Sequence, residues 1–345
     1  MNSAPEPSTA SAPTDDLDHP VYVSTGALPT RDEVQALVIE AHERFGSDRH
    51  GEVSDVYPAL QQVDPDLFGV CVVSVAEVAF TAGDVDVEHT IMSVAKPFVF
   101  ALVCDSIGID EANRRIGVNA TGRAFNSLEA IERQRDGRTN PMVNPGAIVT
   151  TSWAPGSSIE DRWAFVLGGL SRFAGRQLSL HDEVYASASA TNLRNRAMTD
   201  LLESYGLLGS DGAEALDLYT RQSSLTVTAR DLAVMGATLA DGGVNPMTGE
   251  QVISPMSCRA ALAVMTTAGL YETSGDWLYS VGLPGKSGIG GGIVAVAPGK
   301  GALGTFGPRL DGAGNSVKGQ LAARFLSKRL GLDLFLSAAA ERSST

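Results

Sequence analysis

Apolar positions first fall into a helical rhythm after Thr30. Val34, Leu37, Val38 and Ala41 recur on one face, and Gly46 marks the stop. Thr30-Arg-Asp-Glu33 has the spacing of a capping box, in which each end side chain satisfies an orphan backbone donor. Two strand-like runs follow, Gly69 to Val75 and Val78 to Thr81, with a turn at Gly83-Asp84; they read as an antiparallel pair. The pattern then predicts a helix from about Ser93 to Asp105.

From about Asp110 to Asp276 the rhythm is mostly helical. Ser158 to Phe173, Asn192 to Tyr205 and Thr228 to Ala240 read as amphipathic helices, and Asn140 to Gly146 as a Pro/Asn/Gly loop. Thr228-Ala-Arg-Asp231 is a second cap, Asp241-Gly-Gly243 a stop, and Ser254-Pro255 a third helix start with Ser as cap and Pro at the first helical position. After Trp277 the pattern returns to short strands, Leu278 to Gly282, Ile293 to Ala297 and Ala302 to Phe306, before a last helix from about Asn315 to Leu330.

This order predicts an α+β fold in which strands from both ends share one antiparallel sheet, flanked by N- and C-terminal helices, while the middle block forms a helical lobe. The expected division is a disordered tail at 1–28, a discontinuous sheet lobe at 29–109 and 277–336, a helical lobe at 110–276 and a C-terminal tail at 337–345. A site is expected in the groove between the lobes.

Composition narrows the function classes. A net charge of −14 disfavours nucleic acid and anionic membranes as partners, since both are met by basic patches. The first twenty residues lack the basic start and apolar run of a signal peptide, and no stretch of 18 apolar residues predicts a membrane span. Cys71, Cys104 and Cys258 are odd in number and far apart, which fits a reducing, cytoplasmic setting without a disulfide framework. His19, His42, His50, His89 and His181 are scattered, so neither a metal nor another cofactor is expected.

Ser93-Val-Ala-Lys96 is the strongest chemical feature. Positions i and i+3 share a helix face, so Lys96 Nζ can reach Ser93 Oγ. Serine is a weak nucleophile until a neighbour takes its proton, and lysine can do so when apolar surroundings lower its pKa. Ile91, Met92, Val94, Phe98, Val99 and Phe100 supply such surroundings. The same four residues also fit a capping serine with a snorkelling lysine. Pro97 is unusual inside a helix, because it removes a backbone donor. Lys286-Ser287-Gly288 is the second feature. A Lys-Thr/Ser-Gly on a late edge strand accompanies Ser-x-x-Lys in penicillin-recognising enzymes, where the strand edge offers N–H groups and a cation to substrate. A glycine-rich turn is the plainer alternative.

With these motifs the chain resembles the serine-dependent glutaminase family, on a β-lactamase/transpeptidase-like scaffold, from about Gly51 to Gly319. The resemblance rests on Asp64-Pro-Asp-Leu-Phe-Gly69, Ser93-Val-Ala-Lys96, Phe125-Asn-Ser-Leu128, Asn140-Pro-Met-Val-Asn-Pro-Gly-Ala-Ile148, Arg194-Asn195, Gly269-Leu-Tyr271 and Gly282-Leu-Pro-Gly-Lys-Ser-Gly-Ile-Gly-Gly-Gly292. It implies hydrolysis of the L-glutamine side-chain amide to L-glutamate and ammonia through an acyl-serine. It also implies Ser93 as nucleophile, Lys96 as base, Tyr271 at the reacting centre, and Asn144, Asn195, Tyr219 and Lys286 around the substrate. Ile289 would contribute a backbone N–H that forms an oxyanion hole with that of Ser93. A homo-oligomer is implied as well.

Three positions depart from the family pattern. Ala188 stands where a Glu expected to hold the α-ammonium usually lies, Val56 where a site-facing Tyr lies, and Pro145 where an Ala follows the asparagine. Groups that cleave an amide are kept, while two that read the amino-acid end are changed. An amide hydrolase whose substrate lacks a free α-amino group, and a non-catalytic binding paralogue, are therefore the alternatives to a glutaminase.

Overall fold

The computed structural model describes residues 29–134 and 136–336, so both expected tails lie outside the described residues. Five strands form the main sheet: β1 (Gly69–Ser74), β2 (Ala79–Gly83), β3 (Gly285–Ser287), β4 (Gly292–Ala297) and β5 (Gly301–Phe306). Their spatial order is β2-β1-β5-β4-β3, antiparallel throughout. Strands from the two ends of the chain therefore share one sheet, as the hydrophobic pattern predicts, and Lys286 lies on an edge strand.

The sheet is covered on both faces, and its side chains alternate accordingly. Val70, Val72, Ile293, Ala295 and Leu303 pack with Val34, Val38 and Leu326 of the terminal helices Arg31–Phe45 and Val317–Arg329. Cys71, Val73, Val294 and Val296 turn the other way, toward helix Ala229–Ala240 and the helical lobe. That helix lies unusually close to the sheet. A Cβ on Gly304 would sit 2.2 Å from the Ala229 carbonyl oxygen, and one on Gly236 would sit 2.6 Å from Ala302 Cβ. Glycine at both positions is what allows the approach.

The caps read from the sequence are present. Thr30 and Thr228 each form a capping box, Ser254 caps helix Pro255–Ala268, and Ser158 caps helix Ile159–Ala174. Each such cap contributes about 1 kcal/mol. Helix Ala95–Ile107, expected with the sheet lobe at 29–109, is buried on every side from Ala95 to Cys104 and packs instead among helices Asn144–Ser152, Ile159–Ala174 and Pro255–Ala268 of the middle block. Such an all-round apolar helix belongs inside a core. Pro97 lies in its first turn, where the missing N–H has no intrahelical acceptor to lose.

Three boundaries differ from expectation. Leu278 to Gly282 is not a strand: helix Ser274–Val281 covers it and ends at Gly282, which is left-handed at φ 70°. A strand would put Tyr279 and Val281 on one face, yet Tyr279 is 95% exposed and Val281 1%. Ser274, Trp277 and Val281 are the buried positions, at helical spacing. The sheet resumes instead at β3. Secondly, Ser93 precedes the long helix, within a single 3₁₀ turn, Met92–Val94. Thirdly, the Asn140 to Gly146 loop gives way to a helix at Asn144, with Pro145 in its first turn, a position proline tolerates.

Candidate active site

The 3₁₀ turn carrying Ser93 lies at the junction of the lobes, beside edge strand β3. Met92, immediately before Ser93, has φ 46°, and Tyr271 has φ 58°. Left-handed backbone at such bulky residues costs roughly 1–3 kcal/mol and persists only where the surroundings over-determine it. Gly288 faces the turn directly. A Cβ there would lie 3.0 Å from the Ile91 carbonyl oxygen and 3.2 Å from the Ser93 nitrogen. Glycine thus lets the loop after β3 press against the nucleophile's own backbone.

Lys96 is 1% exposed, and burial brings its ammonium down to about 7. Its Nζ donates to Asn144 Oδ1 at 2.6 Å and to the Met142 carbonyl at 3.4 Å. Asn144 Oδ1 also accepts from the Tyr219 hydroxyl at 3.0 Å, while Asn144 Nδ2 donates to Asn195 Oδ1 at 3.0 Å. These partners fix the amide's orientation, because the oxygen must face two donors and the nitrogen an acceptor. Pro145 leaves this arrangement intact.

Tyr271 and Lys286 form a second buried pair. The Tyr271 hydroxyl donates to the Ser287 carbonyl at 3.0 Å, Lys286 Nζ donates to the same carbonyl at 2.5 Å, and that Nζ lies 4.2 Å from the Tyr271 ring centroid. Burial raises the Tyr271 phenol, and a hydrogen bond from Ser93 partly opposes this. Burial, with Lys96 nearby, pushes the Lys286 ammonium well below its ordinary range. Tyr219 is likewise raised by burial.

A pocket of about 120 Å³ opens beside Ser93. Ser93, Asn144, Asn195, Tyr219 and Ile289 line it, with Lys96, Tyr271 and Lys286 buried around it, so every residue singled out from the sequence comes to one place. Ala188 and Val56 also line it. Tyr57 enters beside Val56 and faces Tyr219, with its own phenol raised by burial. A tyrosine therefore reaches the pocket from the neighbouring position.

Several lining residues were not singled out from sequence: Phe125, Asn126, Asn192, Thr220 and Ser223. Asn192 Nδ2 donates to Thr220 Oγ1 at 3.1 Å, which ties helix Gly212–Ser223 to the residue preceding helix Leu193–Ser204. Phe125 packs on Tyr271 with ring centroids 4.6 Å apart. Phe125 and Asn126 open the Phe-Asn-Ser-Leu motif, and that motif is the sequence signal pointing to them.

A buried serine and a buried lysine beside a polar pocket are now in place, and comparisons with known proteins give the family. The family model described as Glutaminase matches residues 51–335. Glutaminase 2 of Yersinia pestis is 64% identical over 327 residues, a match spanning 94% of this chain and 96% of that one. A glutaminase of Mycobacterium ulcerans (strain Agy99) is 48% identical over 302 residues, spanning 88% and 94%. Among solved structures, the probable glutaminase ybaS has a TM-score of 0.88 at 41% identity, covering 90% of this chain and 100% of that one. Mglu in its glutamate form has a TM-score of 0.84 at 36% identity, covering 90% and 72%.

Proposed function

The chain belongs to the glutaminase family and is an amidohydrolase that converts L-glutamine to L-glutamate and ammonia, and we propose that it does so through an acyl intermediate on Ser93. The observation that carries this reading is Lys96, whose burial brings it to about 7 three residues beyond the nucleophile. A neutral lysine amine has two N–H donors and one lone pair. Asn144 Oδ1 and the Met142 carbonyl take the donors. Its lone pair is left for the Ser93 proton; no hydrogen bond joins Lys96 Nζ to Ser93 Oγ in the resting site, so the two close up as the reaction begins.

As the proton leaves, Ser93 Oγ attacks the amide carbon. The N–H groups of Ser93 and Ile289 receive the developing oxyanion. Ile289 lines the pocket, and its N–H has no backbone partner among the described residues. Such preorganised donors commonly supply about 10²–10³ in rate. Lys96 returns its proton to the departing nitrogen, the C–N bond breaks, and ammonia leaves. Water then takes the place of ammonia in the reverse sequence: it gives a proton to Lys96 and attacks the acyl carbon, the bond to Ser93 Oγ breaks, Lys96 returns the proton to that oxygen, and glutamate leaves. In the resting site the Ser93 hydroxyl donates to Tyr271, which is kept protonated by burial and gives its own proton to the Ser287 carbonyl, so the hydroxyl turns from Tyr271 to Lys96 before its proton is taken. Asn144, Asn195 and Tyr219 supply the polar wall against which the substrate lies.

The test is ammonia release from L-glutamine by wild type and Ser93→Ala, with mass spectrometry of acid-quenched wild type. We expect the variant to lose roughly 10⁴-fold or more in kcat and the quenched enzyme to carry a glutamyl adduct on the peptide containing Ser93. Retained turnover in Ser93→Ala would overturn the assignment. We also propose a homo-oligomeric, cytoplasmic enzyme. Supporting the first is the apolar surface at Tyr279, Phe335 and Leu336, 95%, 64% and 71% exposed; supporting the second are three unpaired, buried cysteines. Light scattering on the purified chain checks the first, with a monomer mass refuting it, and fractionation of the source cells checks the second.

A further inference from the structure

The pocket has a one-sided charge inventory. Among its described lining residues the one charged side chain is Arg194, which is exposed at the mouth and donates through Nε to the Asn126 carbonyl. Behind the wall stand two more basic groups, Lys96 and Lys286, both fully buried. No aspartate or glutamate is among the described residues lining the pocket. The chain as a whole carries −14, so this basic, acid-free pocket runs against the charge of its surface.

That inventory sets what the pocket can read. A carboxylate on the ligand finds a guanidinium at the mouth. An ammonium on the same ligand finds no carboxylate among the described lining residues, and the one charged side chain there, Arg194, is of like sign. Desolvating an unpaired charge is costly, whereas a neutral amide nitrogen gives up little water and still offers an N–H. Hydroxyl and carbonyl acceptors suited to such an N–H are present at Asn126, Thr191 and Ser223. There is also room for what the nitrogen carries. Val56 lines the pocket and is 49% exposed, Ala188 presents a single methyl, and Thr191 is exposed beside them, so the wall opens to solvent on this side.

We propose that this enzyme also hydrolyses the side-chain amide of glutamine whose α-nitrogen is acylated, with the α-carboxylate held by Arg194. The inference rests on the glutaminase reading and extends it. The chemistry is unchanged: Ser93 Oγ bonds to the side-chain carbonyl carbon, the C–NH₂ bond breaks and ammonia leaves with the returned proton. Water then releases the N-acyl glutamate, and the acyl–nitrogen bond is untouched.

Ammonia release is measured from L-glutamine, N-acetyl-L-glutamine and 4-carbamoylbutanoate, which has no α-nitrogen, using the wild-type chain. We expect both analogues to keep kcat/KM within about a hundredfold of L-glutamine, where a site built to pair the ammonium would reject them by about 10⁴ or more. Turnover of L-glutamine with analogues more than a hundredfold slower overturns the inference and leaves the glutaminase reading standing. No turnover of any of the three by folded enzyme overturns both. Two variants locate the effect. Arg194→Met is expected to raise KM at least tenfold for all three ligands with kcat little changed; an unchanged KM removes Arg194 from the proposal. Ala188→Glu, checked for folding by its melting transition, is expected to shift the ratio at least tenfold toward L-glutamine. A folded Ala188→Glu with an unchanged ratio overturns the claim that the wall's charge sets the preference.

Discussion

The two ends of the pocket are built differently. At the reacting end, Ser93, Lys96, Asn144, Asn195, Tyr219, Tyr271 and Lys286 are all less than a tenth exposed. Hydrogen bonds join Lys96, Asn144, Asn195 and Tyr219 in one network, and Tyr271 and Lys286 share the Ser287 carbonyl. At the other end, Val56, Thr191 and Arg194 are exposed, Ala188 has no polar atom in its side chain, and Arg194 is tied to the wall through a backbone carbonyl. The first end is over-determined, so deleting one member leaves buried polar groups without partners. The second is sparse, so substitutions there change which ligand is preferred more than whether chemistry occurs. On the proposed reading, rate belongs to one end and selectivity to the other.

The largest effect that tests this division, after loss of the nucleophile, comes from Lys96. Lys96→Met is expected to lower kcat by about 10³–10⁴, the range associated with a positioned base. Lys96→Arg is the sharper variant. It keeps a positive charge and donors for Asn144 Oδ1, but a guanidinium does not release its proton in this range. If Lys96 acts as a base, Lys96→Arg is as inactive as Lys96→Met; if it serves only as a fixed charge, Lys96→Arg retains activity. The pH profile tests the same role independently. Burial lowers the Lys96 ammonium to about 7. The neutral, proton-accepting form therefore accumulates above that pH, and wild-type kcat/KM for L-glutamine is expected to rise as pH increases through about 7. A flat profile between pH 6 and 8 would remove Lys96 from the role of base.

Much of this end was legible in the sequence because its members sit in short motifs. Ser93 and Lys96 are three apart, the Asn144 motif is bracketed by Pro141 and Pro145, and Lys286 begins a glycine run. The capped helices were legible for the same reason: a cap is a contact between i and i+3. What local spacing does not carry is convergence. Asn144 lies 48 residues from the lysine it orients, and Gly288 presses on a nucleophile far away in sequence. The first meeting follows from the packing of helix Ala95–Ile107 on helix Asn144–Ser152, the second from the sheet, which places β3 at its edge beside Met92–Val94. Nor does spacing decide a short apolar run, as Leu278 to Gly282 shows: four or five such residues fit strand or helix, and only the burial of Trp277 and Val281 with exposure of Tyr279 settles it. The missing acid was legible at Ala188, where the family resemblance expects a Glu, but nothing local showed that Arg194 lines the same pocket.

A smaller effect concerns what braces the reacting end from below. His89 lies four residues before Ser93, 6% exposed, stacked on Phe306 with ring centroids 4.0 Å apart. Its Nδ1 meets the Val87 carbonyl at 3.3 Å, and its Nε2 has no partner among the described residues. Burial lowers its pKa from 6.5 to about 4. The unfolded chain therefore binds a proton at His89 between those values while the folded chain does not. Stability falls as pH drops through that window, by up to about 3 kcal/mol at about 1.4 kcal/mol per pH unit. His89→Phe keeps a ring against Phe306 and removes the titration. Urea unfolding at pH 7 and pH 4.5 should show a smaller loss on acidification for the variant than for wild type; equal losses would mean His89 is not the group responsible. The two acid limbs then separate. The activity limb near pH 7 is expected to survive in His89→Phe, whereas His89 supplies the part of the stability loss below pH 6.5 that His89→Phe removes, Lys286 adding a loss of the same sign. A variant that moved both limbs would show that the turn carrying Ser93 and the short strand His89–Thr90 just before it respond to acid as one unit.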